Sequence, residues 1–315
     1  MAEKKVVITA TDLESPELIV ITGESSASAH PTQIPDAIWV LGGLVAFVAF
    51  LSLLLTVAGC PQRPQTEFGA STEAKAVNKG QLLLTAHTVE GMWEEQDVVA
   101  NDTQSWNGSA GVVGRSGNRL YLLSNSHCLD LDGLSTADDV TDGTPEILRY
   151  ALAVTFASGA RREVLKFADQ DGGLDLALLE VDGKGLAEGK DYVVLPYKTP
   201  QLEIGDEVVA VGSPFGLAGT HTFGRISALR PPSQEMPFRL IQTDAAINHG
   251  NSGGPLFVKR NNLYQWIGVN TMRIEKADNL GFAITATDAV TTSYTWYPST
   301  PAGALKAIQD KQRQP

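Results

Sequence analysis

The stretch NHGNSGGP, residues 248 to 255, places three glycines and a proline around one serine, Ser252. Gly250, Gly253 and Gly254 remove side chains and open backbone angles that other residues avoid. A plain surface turn has this composition, since turns collect these residues. A chain also needs it where the backbone must come close to a reacting group beside a serine. The stretch alone leaves both interpretations open, so the choice depends on the rest of the chain.

The overall composition excludes several classes of protein. The 315 residues are 43% hydrophobic and 19% charged, which allows a sizeable core in one large or two ordinary domains. The formal net charge is -12 and no basic run occurs, so nucleic acid is not an expected partner. The only cysteines are Cys60 and Cys128, which exclude a disulfide framework and a C-x-x-C site. We predict no metal and no cofactor.

The N-terminal part predicts an anchor to a membrane. Residues 1–36 are polar and acidic, and we expect a disordered tail. Residues 37–60 carry no charge, and about 20 apolar residues span a bilayer, so they predict one transmembrane helix. The end of this run, VAGC, also resembles a lipoprotein box that would be lipidated at Cys60. A signal peptide begins with a positive region, which the acidic tail does not supply, so an uncleaved anchor is favoured.

The remainder of the chain predicts a β-rich domain. After a predicted linker at 61–84, short apolar runs such as RLYLLSNS, DLALLEV and DEVVAVG alternate with Gly, Asn, Asp and Pro over residues 85–295. Their length and spacing favour an all-β sandwich or barrel pair, with a connection between its halves near 196–205. Residues 296–315 are a predicted C-terminal tail, within which PAGALKAIQDKQRQP favours a short helix.

A serine hydroxyl becomes a good nucleophile only when a base takes its proton, and that base is usually a histidine oriented by a carboxylate. His127 follows LYLLSNS at a predicted strand end, whereas His249 lies only three residues from Ser252 and His221 lies in a predicted loop. Asp175 opens the apolar run DLALLEV, where a half-buried carboxylate needs a partner. The alternatives are an ordinary core or surface histidine at 127 and a loop-capping acid at 175.

The order of these residues along the chain distinguishes two hydrolase folds. GNSGG, residues 250–254, also fits the G-x-S-x-G elbow of α/β-hydrolases, which requires an acid and then a histidine after the serine. No histidine follows residue 249, so that fold is excluded. The order His127, Asp175, Ser252 is the one that the chymotrypsin-type double barrel uses.

Four stretches, LDLALLEV, VVAVGSPFGLAGTHTFGRISAL, QTDAAINHGNSGGP and GFAIT, resemble the HtrA (Deg) branch of the trypsin-like serine proteases. The resemblance implies two antiparallel six-stranded β-barrels with the active site between them and polypeptides as substrates. It implies that His127 is the general base and acid, that Asp175 orients it and that Ser252 is the nucleophile. The N–H groups of Gly250 and Ser252 would form the oxyanion hole.

The resemblance also implies a substrate pocket. Ala246 stands where the base of the S1 pocket is expected, with Ile247 beside it and with Gly268, Val269 and Asn270 as further pocket residues. Because residue 246 carries no charge, we expect cleavage after small or medium apolar residues such as Val, Ala or Leu.

Several features depart from the family pattern. About 25 residues follow the matching region, which is too short for a PDZ domain. Asn251 replaces the aspartate that pairs with a newly cut N-terminus in digestive relatives, so activity is not expected to depend on propeptide cleavage. The acidic insertion at 129–146 lacks the EF-hand spacing, so a solvated loop is favoured over a calcium site. Cys128 lacks its usual disulfide partner and is predicted to be a free, buried thiol.

The expected location and oligomeric state of the protein come from the family resemblance and not from the local charge distribution. Arg63, Lys75 and Lys79 follow the apolar run, and the positive-inside rule would place the C-terminal part in the cytoplasm. Long domains override that bias, so we follow the resemblance and expect a periplasmic or extracytoplasmic peptidase domain, often trimeric in this family. The alternatives are a catalytically silent binding module and a membrane scaffold whose N-terminal tail is the functional part.

Overall fold

The structure is a computed structural model that describes residues 6–7, 81–96, 101–135, 146–170, 173–197, 201–233, 238–261, 263–273 and 279–313. The predicted tail apart from Val6–Val7, the predicted transmembrane helix at 37–60 and the linker up to residue 80 lie outside the described residues. Among the residues that are described, no helix has the length and apolar character needed to cross a membrane.

Six antiparallel strands close into a first barrel in the order β6-β5-β2-β3-β4-β7, with β7 pairing back onto β6. A two-residue strand, β1 (Val6–Val7), precedes them in the chain. The six strands are β2 (His87–Gln96), β3 (Asn101–Ser116), β4 (Arg119–Ser124), β5 (Glu146–Thr155), β6 (Arg161–Gln170) and β7 (Ala177–Asp182).

A second closed barrel follows in the order β10-β13-β12-β11-β8-β9. Its strands are β8 (Glu207–Gly212), β9 (Thr220–Arg230), β10 (Leu240–Thr243), β11 (Pro255–Arg260), β12 (Leu263–Arg273) and β13 (Gly281–Thr285). All of its pairings are antiparallel. The predicted all-β fold with two six-stranded antiparallel barrels is therefore confirmed.

The local sequence explains the register of β4, the strand that leads to His127. β3 and β4 form a hairpin in which Ser116 pairs with Arg119 across the two-residue loop Gly117-Asn118. Gly117 has a φ of 56°, a left-handed value that suits a tight hairpin loop and favours glycine. In β4 the side chains of Leu120, Leu122 and Leu123 are buried, so the register of the hairpin is fixed by the core.

The end of the chain packs back onto the first barrel. Strand β14 (Ser293–Pro298) pairs with β6, and β1 pairs with β14. The helix predicted in the last stretch is present as Pro301–Gln312: Thr300 caps it by accepting a hydrogen bond from the Gly303 N–H, and Pro301 opens its first turn. Its buried face, which includes Ala304 and Ala307, joins the core of the first barrel.

The remaining helical elements are short and lie beside the strand ends. Within the described residues they are two α-helices, α1 (Leu131–Ser135) and α2 (Ala286–Thr291), and three 3-10 helices, Gln81–Thr85, Ser126–Leu129 and Pro214–Gly216. The C-terminal helix Pro301–Gln312 is α3. The 3-10 helices at Ser126–Leu129 and Pro214–Gly216 follow β4 and β8, one from each barrel, and both carry residues of the candidate site.

The apolar core formed by the described residues has three parts. One cluster fills the first barrel and another fills the second. A third cluster joins the barrels and includes Leu123 and Leu178 from the first with Val211, Phe257 and Trp266 from the second. All five of these side chains are at most 3% exposed, so the two barrels share a closely packed interface.

His87, at the start of β2, is a buried histidine outside the candidate site. It is fully buried, its ring lies 4.9 Å from that of Phe156, and neither ring nitrogen has a hydrogen-bond partner among the described residues. Burial disfavours the charged imidazolium and lowers the pKa of His87 to about 3. The protein therefore folds with His87 neutral, whereas the unfolded chain takes up a proton near the ordinary pKa of 6.5.

The contribution of His87 to stability is fully present above pH 6.5 and is lost as the pH falls from 6.5 towards 3, because the unfolded state binds the additional proton. At pH 5 the loss is about 2 kcal/mol relative to pH 7, at about 1.4 kcal/mol per pH unit. Urea unfolding of wild type and His87→Leu at both pH values measures it. We expect the leucine variant to lose less stability on acidification, and equal losses in the two proteins would contradict this assignment.

Candidate active site

The turn that carries Ser252 is held by backbone contacts on two sides. Gly253 N–H donates to the carbonyl of Asn270 at 2.9 Å, and Asn270 N–H donates to the carbonyl of Gly254 at 2.8 Å. Gly253 has a φ of 84°, and a Cβ at this position would lie 2.1 Å from the carbonyl oxygen of Ser109. A glycine is therefore required here both by the backbone angle and by the close passage of another strand. The plain surface turn weighed from the sequence does not account for this contact.

His127 and Asp175 lie together at the ends of neighbouring strands of the first barrel. His127 stands in the 3-10 helix that follows β4, and Asp175 lies two residues before β7. The Asp175 carboxylate accepts two bonds from His127, at 2.9 Å from its backbone N–H and at 2.8 Å from ring Nδ1. A carboxylate can only accept, so Nδ1 carries the proton and the lone pair of the neutral ring lies on Nε2.

Thr271, on β12 of the second barrel, connects the acid to the serine. Its hydroxyl donates to Asp175 Oδ2 at 2.5 Å, and its backbone carbonyl accepts the hydroxyl of Ser252 at 3.2 Å. The residue is 4% exposed. Sequence reasoning missed Thr271. The one available signal was a polar residue that directly follows the buried strand segment QWIGVN.

The structure brings Ser252 into the same network as His127 and Asp175 through Thr271. Within the described part of the chain, no hydrogen bond joins the hydroxyl of Ser252 directly to the ring of His127. Hydrogen bonds between a nucleophile and its base are often long or misaligned in the absence of substrate. Release of the hydroxyl from the Thr271 carbonyl would free it to meet a base.

The surroundings of His127 favour its charged form. Burial lowers the pKa of the imidazole, but the hydrogen bond to Asp175 and the negative charge of that carboxylate outweigh the effect of burial. The pKa of His127 is therefore raised above the ordinary 6.5. Its side chain is 48% exposed, so the ring can be reached from the cleft.

The two N–H groups expected to form the oxyanion hole, those of Gly250 and Ser252, donate to no other described residue. The adjacent carbonyls are held: the Phe215 N–H donates to His249 O at 3.1 Å, and the Ser109 hydroxyl donates to Gly250 O at 2.6 Å. Gly250 has a φ of 96°, and a Cβ there would lie 2.5 Å from Ser213 O. The N–H groups of Gly250 and of Ser252 itself are thus available to a ligand as far as the described residues show.

The residues expected to form the substrate pocket differ in their accessibility. Ala246 is exposed, and its carbonyl accepts the Thr222 hydroxyl at 2.8 Å. The exposed fractions of Ile247, Val269 and Asn270 are 6%, 1% and 0%. Gly268 lies on β12 and pairs with Thr285 at the end of β13. The structure therefore offers Ala246 to a ligand, whereas the side chains of Ile247, Val269 and Asn270 face the protein interior.

Gly108 explains why Cys128 lacks a disulfide partner. Cys128 is a free, buried thiol, as predicted, and a Cβ at Gly108 would lie 2.6 Å from its sulfur. A glycine therefore occupies the position from which a second cysteine would reach the thiol. The sulfur instead lies 3.7 Å from the carbonyl oxygen of Ser252 and packs behind the turn.

Two carboxylates of the acidic insertion are engaged in protein contacts. Asp130 accepts the indole N–H of Trp93 at 2.9 Å, and Asp132 pairs with Lys311 at 3.0 Å. Residues 136–145 of the insertion lie outside the described residues. Across the part of the chain that is described, no group of three or more His, Cys, Asp or Glu side chains is arranged to hold a metal ion.

Comparison with known proteins gives one family match and a set of relatives. The family described as the trypsin-like peptidase domain matches residues 108–268. The serine protease Do-like HtrB of Bacillus subtilis is 32% identical over 187 residues, 56% of this chain and 35% of that protein. A probable periplasmic serine endoprotease DegP-like of Ectopseudomonas mendocina is 33% identical over 183 residues, 56% of this chain and 32% of that protein.

A solved structure, the HtrA-type protease AlgW with decapeptide, has a TM-score of 0.46 at 23% identity and covers 76% of this chain and 66% of that one. The chain spans about a third of the length of the curated relatives given above. The family match takes in just over half of the 315 residues and contains His127, Asp175 and Ser252. The chain belongs to the trypsin-like peptidase family.

Proposed function

We propose that the chain is a serine endopeptidase that hydrolyses peptide bonds through an acyl-enzyme. The observation that carries the proposal is the Asp175 carboxylate, which holds Nδ1 of His127 at 2.8 Å while Thr271 ties the same carboxylate to Ser252. The relatives are named serine proteases, which supports the same activity. Family membership alone does not require activity, so the proposal rests on the site.

In the proposed reaction, Ser252 Oγ adds to the carbonyl carbon of the scissile bond, and its proton passes to Nε2 of His127. The carbonyl electron pair moves onto oxygen and gives a tetrahedral oxyanion. The oxyanion collapses, the C–N bond breaks, and the amine leaves with the proton from Nε2. Water then repeats these steps on the ester and returns the proton to Ser252. Asp175 keeps the ring in the tautomer that can accept at Nε2 throughout.

The oxyanion would be stabilised by the N–H groups of Gly250 and Ser252. Both are free of other described partners and lie on a turn held by neighbouring residues. Fixed donors need no reorganisation when charge develops, and one such donor is typically worth about 3 to 4 kcal/mol of the barrier. This arrangement favours the proposed acyl transfer over simple binding.

A catalytically silent binding domain is the second candidate function. The observation that favours it is the bond from Ser252 Oγ to the Thr271 carbonyl, which leaves the hydroxyl without a direct bond to the ring of His127 among the described residues. A covalent probe for active serine hydrolases distinguishes the two candidates.

For specificity, we propose cleavage after small or medium apolar residues. Ala246 is exposed six residues before Ser252 and carries no charge, so a basic side chain would lack a partner there. Asn251, 1% exposed, packs with its amide 3.4 Å from the Ala246 carbonyl and cannot form an ion pair with a new N-terminus. We therefore also propose that activity does not require propeptide cleavage.

For organisation, we propose an acidic tail at 1–36, a membrane anchor at 37–60, a linker at 61–84, a peptidase domain at 85–295 and a C-terminal tail at 296–315 whose helix packs against the first barrel. The charge-free run at 37–60 supports the anchor, with lipidation at Cys60 as an alternative. DegP-like relatives named periplasmic support an extracytoplasmic peptidase domain. Protease protection of intact spheroplasts tests this, since a protected C-terminal domain would contradict the topology.

We further propose that copies of the chain associate into a homo-oligomer, with a trimer as the expected form. Leu83, Phe215 and Leu217 are large apolar residues at 52%, 71% and 67% exposure, and Leu83 lies near the loop that carries the other two. Exposed apolar patches commonly mark contacts between proteins. Sedimentation of wild type and Phe215→Asp tests the proposal, because a wild-type monomer would contradict it.

Ser252→Ala is expected to abolish both labelling by a fluorophosphonate probe and cleavage of an unfolded protein. Loss of the nucleophile in a comparable triad lowers kcat by about 10⁶-fold. Labelling of wild-type protein measured by gel fluorescence, with Ser252→Ala as the control, checks this result. Absence of wild-type labelling across pH 6 to 9 would favour the silent binding domain.

The rate is expected to rise with pH because catalysis needs the neutral ring of His127. Since the pKa of His127 is raised, the acid limb of kcat/KM should have its midpoint above 6.5. Asp175→Asn should lower kcat by about 10⁴-fold at neutral pH by releasing the ring from its tautomer. Peptide hydrolysis across a pH series measures both, and a wild-type midpoint at or below 6.5 would contradict the assigned environment.

The preference for the residue before the cut should follow the uncharged base of the pocket. Mass-spectrometric mapping of cuts in an unfolded substrate should give Val, Ala or Leu at that position. Ala246→Asp should add cleavage after Lys and Arg, because the new carboxylate provides a partner for their charge. A wild-type preference for Lys or Arg would overturn the specificity proposal and leave the activity proposal intact.

A further inference from the structure

Ser109 is a buried residue of the first barrel that touches the serine turn of the second. It lies on β3 and is 0% exposed. Its hydroxyl donates to the carbonyl of Gly250 at 2.6 Å and accepts the N–H of Ser213 at 2.8 Å. The hydroxyl therefore acts both as a donor and as an acceptor. Its partners are backbone groups, the carbonyl of Gly250 and the N–H of Ser213.

The main chain of Ser109 makes further contacts with the same turn. Its N–H donates to the carbonyl of Ser252 at 2.8 Å, and its own carbonyl accepts the hydroxyl of Ser124 at 2.8 Å. One residue of the first barrel therefore holds the carbonyls of both residues whose N–H groups would form the oxyanion hole. The Ser213 hydroxyl accepts that of Thr88 at 2.8 Å, which extends the network to β2.

The Gly250 N–H lies in the peptide unit that it shares with the His249 carbonyl, and the backbone angles of Gly250 couple this unit to the next one, which carries the Gly250 carbonyl. The carbonyl of His249 is held by the Phe215 N–H, and the carbonyl of Gly250 is held by the Ser109 hydroxyl. Gly250 has a φ of 96° and no side chain, so nothing in its own chemistry prevents rotation between these units. Removal of the Ser109 hydroxyl would release one of the two restraints and leave two buried backbone groups without a partner.

We propose that Ser109 is a positioning residue for the reaction, whose hydroxyl directs the Gly250 N–H towards the developing oxyanion. The inference rests on the proposed peptidase activity. An interaction that matters mainly in the transition state lowers kcat when it is lost and changes KM little. Loss of one oxyanion donor typically lowers kcat by 10²- to 10³-fold, so misdirection of one donor is expected to cost about 10- to 100-fold.

The test compares Ser109→Ala with the matched control Thr85→Val in the full-length chain. Thr85 is 1% exposed and donates its hydroxyl to Leu82 O at 2.7 Å, so the control removes another buried hydroxyl bond outside the turn. For Ser109→Ala we expect kcat to fall about 10- to 100-fold with KM within about twofold. For the control we expect both constants to stay within about twofold of wild type.

A second readout needs no turnover. His249-Gly250 is the one His-Gly pair in the sequence, so ¹³C-carbonyl histidine with ¹⁵N-glycine gives a single amide signal, that of Gly250. Ser109→Ala should shift or broaden this signal, and Thr85→Val should leave it in place. An unmoved signal together with control-like kcat would overturn the inference. If wild type shows no turnover, the proposed function fails, and the Gly250 signal alone still decides whether Ser109 orients the turn.

If Ser109→Ala does not fold, Thr88→Val against Thr85→Val provides the same comparison with an identical substitution. Thr88 is 6% exposed and supports Ser109 through Ser213. A lower kcat and a moved Gly250 signal in Thr88→Val alone would support the network. Equal behaviour of the two valine variants would contradict it.

Discussion

The two barrels are joined at the place where the backbone of Ser109 passes over the turn at Ser252. The passage is so close that Gly253 has no room for a Cβ, and the Ser109 N–H bonds directly to the Ser252 carbonyl. A buried N–H or carbonyl left without a partner costs about 1 to 3 kcal/mol, so separation of these two backbones is strongly disfavoured. Because His127 and Asp175 belong to one barrel and Ser252 to the other, their mutual placement depends on this contact.

The Asp175 carboxylate is the second connection between the barrels. It accepts two bonds from His127 within its own barrel and one from Thr271 of the other. Three donors from different directions leave the carboxylate little freedom to turn, and a carboxylate without rotational freedom fixes the imidazole that it holds. The same charge raises the pKa of His127, so the arrangement that orients the base also makes it more basic.

The sequence predicted those features that depend on local pattern. Short apolar runs separated by turn residues indicated the strands of both barrels, and the stretch PAGALKAIQDKQRQP indicated the last helix. Thr271 could not be predicted in the same way, because its role depends on a hydrogen bond to Asp175, which lies 96 residues earlier in the chain. The contact of Ser109 with Gly250 spans 141 residues, and the pairing of β14 with β6 also joins segments far apart in the chain. Val269 and Asn270, expected from the resemblance to line a pocket, are buried on opposite faces of β12: Val269 joins the cluster between the barrels, and the Asn270 amide donates to the carbonyls of Val211 and Pro255.

Apolar and polar contacts contribute differently to the placement of His127, whose side chain is about half exposed. Leu123 precedes His127 by four residues, Leu178 follows Asp175 by three, and Phe257 follows Ser252 by five; all three lie in the cluster between the barrels. Burial of one such side chain contributes about 1.5 to 3 kcal/mol, whereas a hydrogen bond contributes about 1 kcal/mol net. The interface therefore supplies most of the free energy that brings the strand ends together. The hydrogen bonds of Ser109, Thr271 and Asp175 then decide which way the polar groups point at its edge.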